Sequence, residues 1–420
     1  MDIFEIIEKK ENSQNLTKKE IEFVVNGYTN GEITDEIMTR MLRALVKKSM
    51  NDEEIYYLTK AMQNSGETCD LSRLGDYTVD KHSTGGVSDS TTLIIAPILA
   101  CAGVKMLKAS GRALGFTGGT ADKIEIFDGY DCEISFEKAT RLTIKNGACI
   151  VSQSMDLAPA DKKIYALRDR TGLVESIPLI ASSVMSKKLA SNNKTILLDI
   201  KVGNGAFMKN LNDAEKLAKI MVDIGKRDNK NVVCLLTDMS EPLGYNIGNY
   251  PEIMEVIEVL SGKKGKLTNL SIEIAVTLLV KSGLKSENEA RKLVGDIISS
   301  GKALEKFKQM IISGGGDIYL IGTSLTATQH IYAKQDGYIS EFLTQELGNL
   351  CHKVEKEYGK YTSGIVTYHK IGDKVNSGDK IISLVSDKEI SEKLLSSIEK
   401  CVIITKEKCS PKKLILKVID

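Results

Sequence analysis

The chain has 420 residues, and its 57 lysines and arginines nearly balance its 56 aspartates and glutamates. This balance leaves no net basic surface to hold a nucleic-acid backbone by counterion release, so we expect no nucleic-acid partner. The N-terminal residues carry early acidic side chains and no apolar run, and no stretch approaches the roughly 18 apolar residues of a membrane span, so we expect a cytoplasmic protein without membrane contact. The length predicts two or three structural units.

The first 65 residues predict a helical lobe. Apolar residues recur at helical spacing, as in Ile37, Met41 and Leu45, and glycines or asparagines close the segments. Thr17 is the expected N-cap of the second helix. The predicted helices cover residues 3–10, 18–30, 34–47 and 52–64.

From Tyr77 onward the pattern changes to strand, glycine loop and helix. Helical stretches such as 91–102 and 213–227 separate strands predicted at 77–80, 105–109, 148–152, 195–202 and 232–237. Such alternation predicts a mostly parallel sheet flanked by helices, with anion-binding loops at the carboxyl ends of the strands.

The remaining segments complete three units. Residues 161–190 read as helical with a Ser-Ile-Pro interruption at 176–178, and we assign them to the helical lobe with 1–65, leaving 66–160 with 191–330 as the α/β lobe. Beyond about residue 330, short strands alternate with Gly-Asp turns, which predicts a C-terminal α+β unit over 331–420. The predicted fold class is therefore α/β with a separate helical lobe and a C-terminal α+β unit.

A first glycine loop follows the strand that begins at Tyr77. It reads Lys81-His82-Ser83-Thr84-Gly85-Gly86 and leads through Asp89 to Thr91 and Thr92 at the start of a helix. Adjacent glycines let backbone N–H groups turn inward, hydroxyls add donors, and a lysine adds positive charge, so a phosphate-sized anion would fit. A glycine loop alone is weak evidence, because many tight turns look the same.

A second loop repeats this pattern a short distance along the same sheet. The string from Lys108 to Lys123 contains Ser110, Phe116, the Gly118-Gly119 pair and Thr120, again after a predicted strand. Two turns decorated independently with the same donors are unlikely, so the pair of loops favours a phosphate site.

A third group of polar residues lies in the helical segment 161–190. Ser183 and Lys187 are four residues apart, so they share one face of a helix, and Arg168 precedes them on an adjoining segment. By spacing alone these cations could also form an ordinary solvated face.

The eight cysteines include no C-x-x-C pair and have no histidines at ligand spacing, so we expect neither a zinc site nor a disulfide framework.

These strings together resemble the thymidine phosphorylase and pyrimidine-nucleoside phosphorylase family. The resemblance includes the Ser110 to Asp122 segment, Leu157-Ala-Pro-Ala-Asp-Lys162, Ser176-Ile-Pro-Leu-Ile180 and Asp199-Ile-Lys-Val-Gly-Asn-Gly-Ala-Phe-Met208. It implies phosphorolysis of pyrimidine nucleosides by a homodimer, with phosphate held on the α/β side and the base on the helical side. It also implies a role in nucleoside salvage.

The resemblance assigns roles residue by residue. It implies that His82, Arg168 and Lys187 are catalytic and that Arg168, Ser183, Lys187 and Phe116 bind the nucleoside. The residues implied to hold phosphate are Lys81, Ser83, Thr92, Lys108, Ser110 and Thr120. Cations and donors at the base edge would stabilise the leaving pyrimidine as negative charge develops on it, and a phosphate clamp would orient the nucleophile.

No cofactor is required by this chemistry, although the resemblance implies an optional potassium ion. The residues at that position are Ser88, Ser90, Leu243, Asn246 and Glu255. Relatives usually carry glycine, threonine and a small residue at the first, second and fourth of these positions, which weakens the expectation of the ion.

Two other departures concern the substrate side and the C-terminal unit. Phe116 stands where relatives usually have a histidine, and the Gly-Ala-Gly-Arg element that relatives place near 350–360 is absent.

Other functions remain open at this stage. A phosphoribosyltransferase of the anthranilate phosphoribosyltransferase type would share the fold but would need magnesium and an acidic pair, which is not seen beside residues 117–120. The further alternatives are a phosphorylase with altered specificity, a nucleoside-binding protein that has lost catalysis, and a lipoyl-type hairpin with Lys388 as the carrier.

Overall fold

The computed structural model describes residues 1–113, 115–152 and 157–420; Leu114 of the second glycine loop lies outside the described residues. Four helices open the chain, each within two residues of its predicted bounds: α1 Ile3–Glu11, α2 Lys18–Asn30, α3 Asp35–Lys48 and α4 Asp52–Gln63. Thr17 and Asn51 form capping boxes at α2 and α4, so each satisfies backbone donors that a helix end leaves free. Among the described residues, no helix is long and apolar enough to cross a membrane.

The α/β part begins after a short 3-10 turn at Ser72–Leu74. Its first elements are β1 Val79–Ser83, α5 Thr91–Ala102, β2 Met106–Ser110, α6 Thr120–Ile124, α7 Phe136–Asn146 and β3 Ala148–Ser152. Helix α5 matches its predicted bounds, and residues 91–99 of it are buried. The first glycine loop therefore joins β1 to α5, and the second joins β2 to α6.

The chain then returns to the helical lobe. Helices α8 Pro159–Thr171 and α9 Ile177–Ala190 share one apolar core cluster with α1 to α4. Pro178 lies in the first turn of α9, where a missing backbone N–H costs nothing, which explains the interruption predicted at 176–178.

The second half of the α/β part supplies the middle of the sheet. Its elements are β4 Thr195–Val202, α10 Leu211–Arg227, β5 Asn231–Asp238, β6 Asn246–Ile247, α11 Asn249–Leu260, α12 Lys266–Lys281, α13 Glu287–Ser299 and α14 Lys302–Ser313. Strands β1, β4 and β5 pair in parallel, β2 pairs with β3 in parallel, and a bridge between Thr78 and Lys105 connects the two groups. The mostly parallel sheet is confirmed, and the parallel strands bring both glycine loops to one sheet edge.

The C-terminal part consists of short antiparallel strands with two helices. Its elements are β7 Ala327–Tyr332, β8 Gly337–Phe342, α15 Thr344–Tyr358, β9 Gly364–Thr367, β10 Lys374–Val375, β11 Lys380–Val385, α16 Glu392–Glu399, β12 Val402–Thr405 and β13 Ile415–Ile419. Two strand pairs connect this part to the α/β lobe: β13 pairs antiparallel with β5, and β9 pairs antiparallel with β6. Strand β13 of the C-terminal unit thus extends the α/β sheet, and strand β6 of the α/β lobe extends a sheet of the C-terminal unit.

Candidate active site

The first glycine loop is held by one buried carboxylate. The Ser83 Oγ donates to Asp89 Oδ2 at 2.6 Å, and the Thr91 Oγ1 donates to Asp89 Oδ1 at 2.6 Å. The Gly85 N–H donates to Ser83 Oγ at 3.2 Å. Ser83, predicted to hold phosphate, therefore shapes the loop, and Thr92 lies buried in the first turn of α5 just beyond it.

Lys81 lies beneath this loop in a network of two lysines and two aspartates. Its Nζ donates to Thr91 Oγ1 at 2.7 Å and lies 3.3 Å from Asp199 Oδ2 and 3.6 Å from Asp89 Oδ2. The Lys201 Nζ lies 2.7 Å from the same Asp199 oxygen. Although burial raises it, the charges of Lys201 and Lys81 hold the pKa of Asp89 well below its usual range. Lys81 is fully buried among these groups and supports the loop from below.

Lys108 is the second cation at the sheet edge. Its Nζ lies 3.3 Å from Asp80 Oδ1, while Lys188 Nζ lies 2.7 Å from Asp80 Oδ2, so two lysines share one buried carboxylate. Burial, opposed by Asp80 and reinforced by Lys188, lowers the pKa of Lys108 to about 7. A lysine with such a pKa gains most from the arrival of an anion, because the anion favours its charged form.

The other predicted phosphate residues of the second loop sit at its two ends. Ser110 is the last residue of β2 and is buried, and Thr120 is the first residue of α6 and is partly buried. Between them, the Ala113 N–H donates to Asp122 Oδ2 at 2.6 Å. A Cβ at Gly119 would lie 2.4 Å from the Ala113 nitrogen, so only glycine permits this close approach.

Phe116 packs with apolar residues of the C-terminal unit. Its side chain is buried within the apolar cluster of the C-terminal unit, and its ring centroid lies 5.2 Å from that of Phe207. The expected contact of Phe116 with substrate stays a prediction, one that this packing does not favour.

On the helical side, Lys187 and Arg168 are both held in place. The Lys187 Nζ lies 2.6 Å from Asp161 Oδ2 and keeps about a quarter of its side chain exposed (23%). Arg168 is buried and donates to the carbonyl oxygens of Leu173, Val174 and Leu179, which fixes the turn between α8 and α9. Ser183 lies one turn before Lys187 on α9 and is buried.

His82 is the residue at which both sides meet. Burial, followed by the positive charges of Lys188, Lys108, Lys187 and Lys81 in that order, lowers the pKa of His82 well below its usual range. In β1, His82 follows Asp80 by two residues and so lies on the same face of the strand as the carboxylate that pairs with Lys108 of β2 and Lys188 of α9. At neutral pH the His82 imidazole is therefore uncharged and can donate one hydrogen bond. A histidine with an ordinary pKa would be partly protonated at this pH and could also donate a proton.

The predicted potassium residues form a cluster that is satisfied by protein donors. The Ser88 Oγ donates to the Asn246 carbonyl, and the Tyr245 and Asn246 N–H groups donate to the Glu255 carboxylate. The Ser90 Oγ donates to Glu252 at 2.7 Å. The Leu243 N–H donates to the Val87 carbonyl.

Two lysines already supply positive charge around this cluster. The Lys370 Nζ donates to the Pro242 and Gly244 carbonyl oxygens at 2.6 Å each, and Lys263 Nζ lies 3.7 Å from Glu255. Because several oxygens of this cluster already have protein partners, we expect wild type to bind potassium weakly there, which stays a prediction.

Sequence reasoning missed the charged residues underneath the loops. Asp199 and Lys201 stand in the fully buried strand β4, and Asp80 stands in β1. A signal was present, because charged residues are almost never fully buried unless they are paired, and Asp199 and Lys201 are two apart in an otherwise apolar strand. Lys188 adjoins the predicted Lys187 but points to Asp80.

Comparison with known proteins now defines the class. Residues 4–66 match the model of the helical bundle domain of a glycosyl transferase family, and residues 75–304 match the model of its a/b domain. The fold and these two matches define the chain as a glycosyl transferase. A solved anthranilate phosphoribosyltransferase from Thermus thermophilus is similar in fold, with a TM-score of 0.61 and 17% identity over 75% of this chain and 99% of that one.

Full-length relatives narrow the assignment. The pyrimidine-nucleoside phosphorylase of Staphylococcus haemolyticus is 43% identical over 98% of both chains. The protein of the same name from Geobacillus stearothermophilus is 41% identical over 95% of this chain and 96% of its own. The chain belongs to the pyrimidine-nucleoside phosphorylase family, as the sequence motifs predicted.

Proposed function

We propose that this enzyme catalyses the reversible phosphorolysis of pyrimidine nucleosides, converting nucleoside and inorganic phosphate to free base and pentose 1-phosphate. The observation that carries the proposal is the meeting of Lys108 of the α/β lobe and Lys188 of helix α9 at Asp80, two residues before His82 in β1, with Lys187 adjoining on α9. A site with cations on both sides suits a reaction in which phosphate attacks from one side and an anionic base leaves on the other.

The proposed reaction is a single substitution at the anomeric carbon, in which some residues bind the phosphate and others bind the base. A phosphate oxygen forms a bond to the anomeric carbon while the bond from that carbon to the base nitrogen breaks, and its electron pair leaves with the base. Lys108 and the loop donors would hold phosphate, with Ser83, Ser110, Thr92 and Thr120 at the loop ends.

On the other side, Lys187 and the neutral His82 would stabilise negative charge on the departing base. Each such donor contributes on the order of a hundredfold in rate. Arg168 and Ser183 complete the base side, with Arg168 also holding the α8–α9 turn that carries this face.

The proposal extends to a homodimer that serves nucleoside salvage in the cytoplasm. Its support is the family resemblance, which implies a homodimer; Phe4 and Val46 of the helical lobe are exposed apolar side chains available to such a contact. Light scattering coupled to gel filtration tests the dimer, and a monomeric mass at working concentration would contradict it.

The decisive experiment incubates uridine, thymidine and deoxyuridine with and without inorganic phosphate and follows free base by absorbance. We expect base release only with phosphate, in equal amount to pentose 1-phosphate, and unchanged by a chelator of divalent metals. Base release at the same rate without phosphate would identify a hydrolase. A requirement for magnesium and a diphosphate-activated sugar would instead favour phosphoribosyl transfer.

A further inference from the structure

Helix α15 of the C-terminal unit touches both glycine loops at one residue. A Cβ at Gly348 would lie 2.5 Å from the Phe116 carbonyl oxygen of the second loop and 3.0 Å from Val87 Cγ2 of the first. Val87 and Phe116 are buried in the same apolar cluster as Leu347. The two loops therefore share one support, and that support lies outside the α/β sheet.

A charged contact adds to this support at the second loop. The Lys360 Nζ, just after α15, lies 2.9 Å from Asp122 Oδ1, and the other oxygen of Asp122 accepts the Ala113 N–H at 2.6 Å. One carboxylate thus links the C-terminal unit directly to the backbone of the second loop. Asp122 is buried, whereas about half of the Lys360 side chain is exposed (48%).

Helix α15 is itself fixed to the α/β part. The Glu355 Oε1 accepts the Asn249 N–H at the start of α11 at 2.6 Å, and Glu355 Oε2 lies 3.0 Å from His352 Nδ1. The bond to α11 therefore holds α15 in place, with Gly348 against the two loops.

We propose that the C-terminal unit sets the affinity for phosphate by holding both glycine loops in their binding geometry, with Lys360 as a positioning residue. This inference rests on the proposed function, because it takes inorganic phosphate as the anion of these loops. Lys360 acts through Asp122 and Ala113, and it needs no contact with substrate.

The test compares Lys360→Ala, Lys360→Arg and the matched control Lys353→Ala in the full-length enzyme. Lys353 lies on α15 and pairs only loosely with Glu357 at 3.9 Å. We expect Lys360→Ala to raise the KM for phosphate about fivefold, the size expected for one partly exposed ion pair, and to leave the nucleoside KM within about twofold. Lys360→Arg should restore most of the phosphate KM, because it keeps the charge.

Gly348→Ala is a second, independent variant. Alanine in place of glycine within a helix ordinarily stabilises it, but here the added methyl group must push α15 and the second loop apart. We expect the phosphate KM to rise at least about tenfold with folding retained.

Inorganic phosphate alone provides a readout without turnover. The rise in melting temperature that phosphate produces should be smaller in Lys360→Ala and Gly348→Ala than in wild type and Lys353→Ala. A phosphate KM in Lys360→Ala no higher than in Lys353→Ala, or equal changes in both KM values, would overturn the inference. Failure of the proposed function is distinguishable, because the wild type would then release no base with phosphate.

Discussion

Lys108 should make phosphate binding depend steeply on pH near neutrality. Its folded-state pKa of about 7 lies well below the ordinary lysine value of 10.5, because burial outweighs its shared ion pair with Asp80. If only the ammonium form holds phosphate, its fraction falls from about nine-tenths near pH 6 to about one-tenth near pH 8. The KM for phosphate should therefore rise about tenfold over this range, or about 1.4 kcal/mol of binding free energy.

The matched variant is Lys108→Arg, whose guanidinium stays charged throughout. The ionisation of phosphate itself affects both proteins equally, so the ratio of their phosphate KM values isolates the lysine. Initial rates at saturating nucleoside give these values. Calorimetry in two buffers of different ionisation enthalpy should show that wild type takes up protons on binding phosphate near pH 8 and the variant does not.

The contribution of Lys108 to folding stability changes with pH in the opposite direction to its contribution to phosphate binding. Between about pH 7 and 10.5 the unfolded chain binds a proton at Lys108 that the folded chain has lost, so this group's contribution to the free energy of unfolding rises with pH. Bound phosphate favours the protonated form of Lys108 in the folded chain. The increase in the free energy of unfolding that phosphate produces should therefore be largest at acidic pH. A wild-type phosphate KM that follows the Lys108→Arg profile from pH 6 to 8 would refute the reasoning.

Three other outcomes are expected. Asp161→Asn should lower kcat about tenfold or more with folding intact, because the carboxylate that holds the Lys187 ammonium at 2.6 Å is lost; an unchanged kcat would show that the reaction does not depend on Asp161 to position Lys187. Phe116→His should lower the free energy of unfolding by about 1.5 to 3 kcal/mol, because the ring is buried in an apolar cluster, and should leave the ratio of kcat/KM between uridine and thymidine unchanged. A changed ratio with unchanged stability would instead support a contact between Phe116 and the substrate. Wild type should melt within about 1 °C in potassium and choline salts, whereas Ser88→Gly, which removes the hydroxyl bonded to Asn246, should gain a potassium-dependent rise.

Local sequence patterns were sufficient for most elements. Helix α5 and strand β4 have their predicted bounds, because a buried apolar run between loop residues leaves few alternatives, and capping residues such as Thr17 mark where helices begin. The pairing of β13 with β5 was not predictable in this way. Strand β13 is short and only partly buried, and its distant partner in the chain defines where it lies.

The candidate site likewise contains features that local sequence patterns predict and features that they do not. Glycine loops and helical spacing identified Lys108, His82 and Lys187, because those patterns are local. The packing of Phe116 depends on α15, and the low pKa of His82 depends first on burial and then on lysines from three elements, so neither could be derived from neighbours in sequence. Charge pairing beneath the loops likewise appears only once strands β1 and β4 are placed side by side.

The arrangement of charges explains how so many lysines are tolerated before substrate arrives. Lys81 and Lys201 are balanced by Asp89 and Asp199, whereas Lys108 and Lys188 have only Asp80 between them. The excess positive charge therefore falls on Lys108 and Lys188, and the lowered pKa of Lys108 reflects the cost of burying it. In the proposed function, an incoming phosphate would offset that cost while His82 stays neutral, and the donors would already be in place when the glycosidic bond breaks.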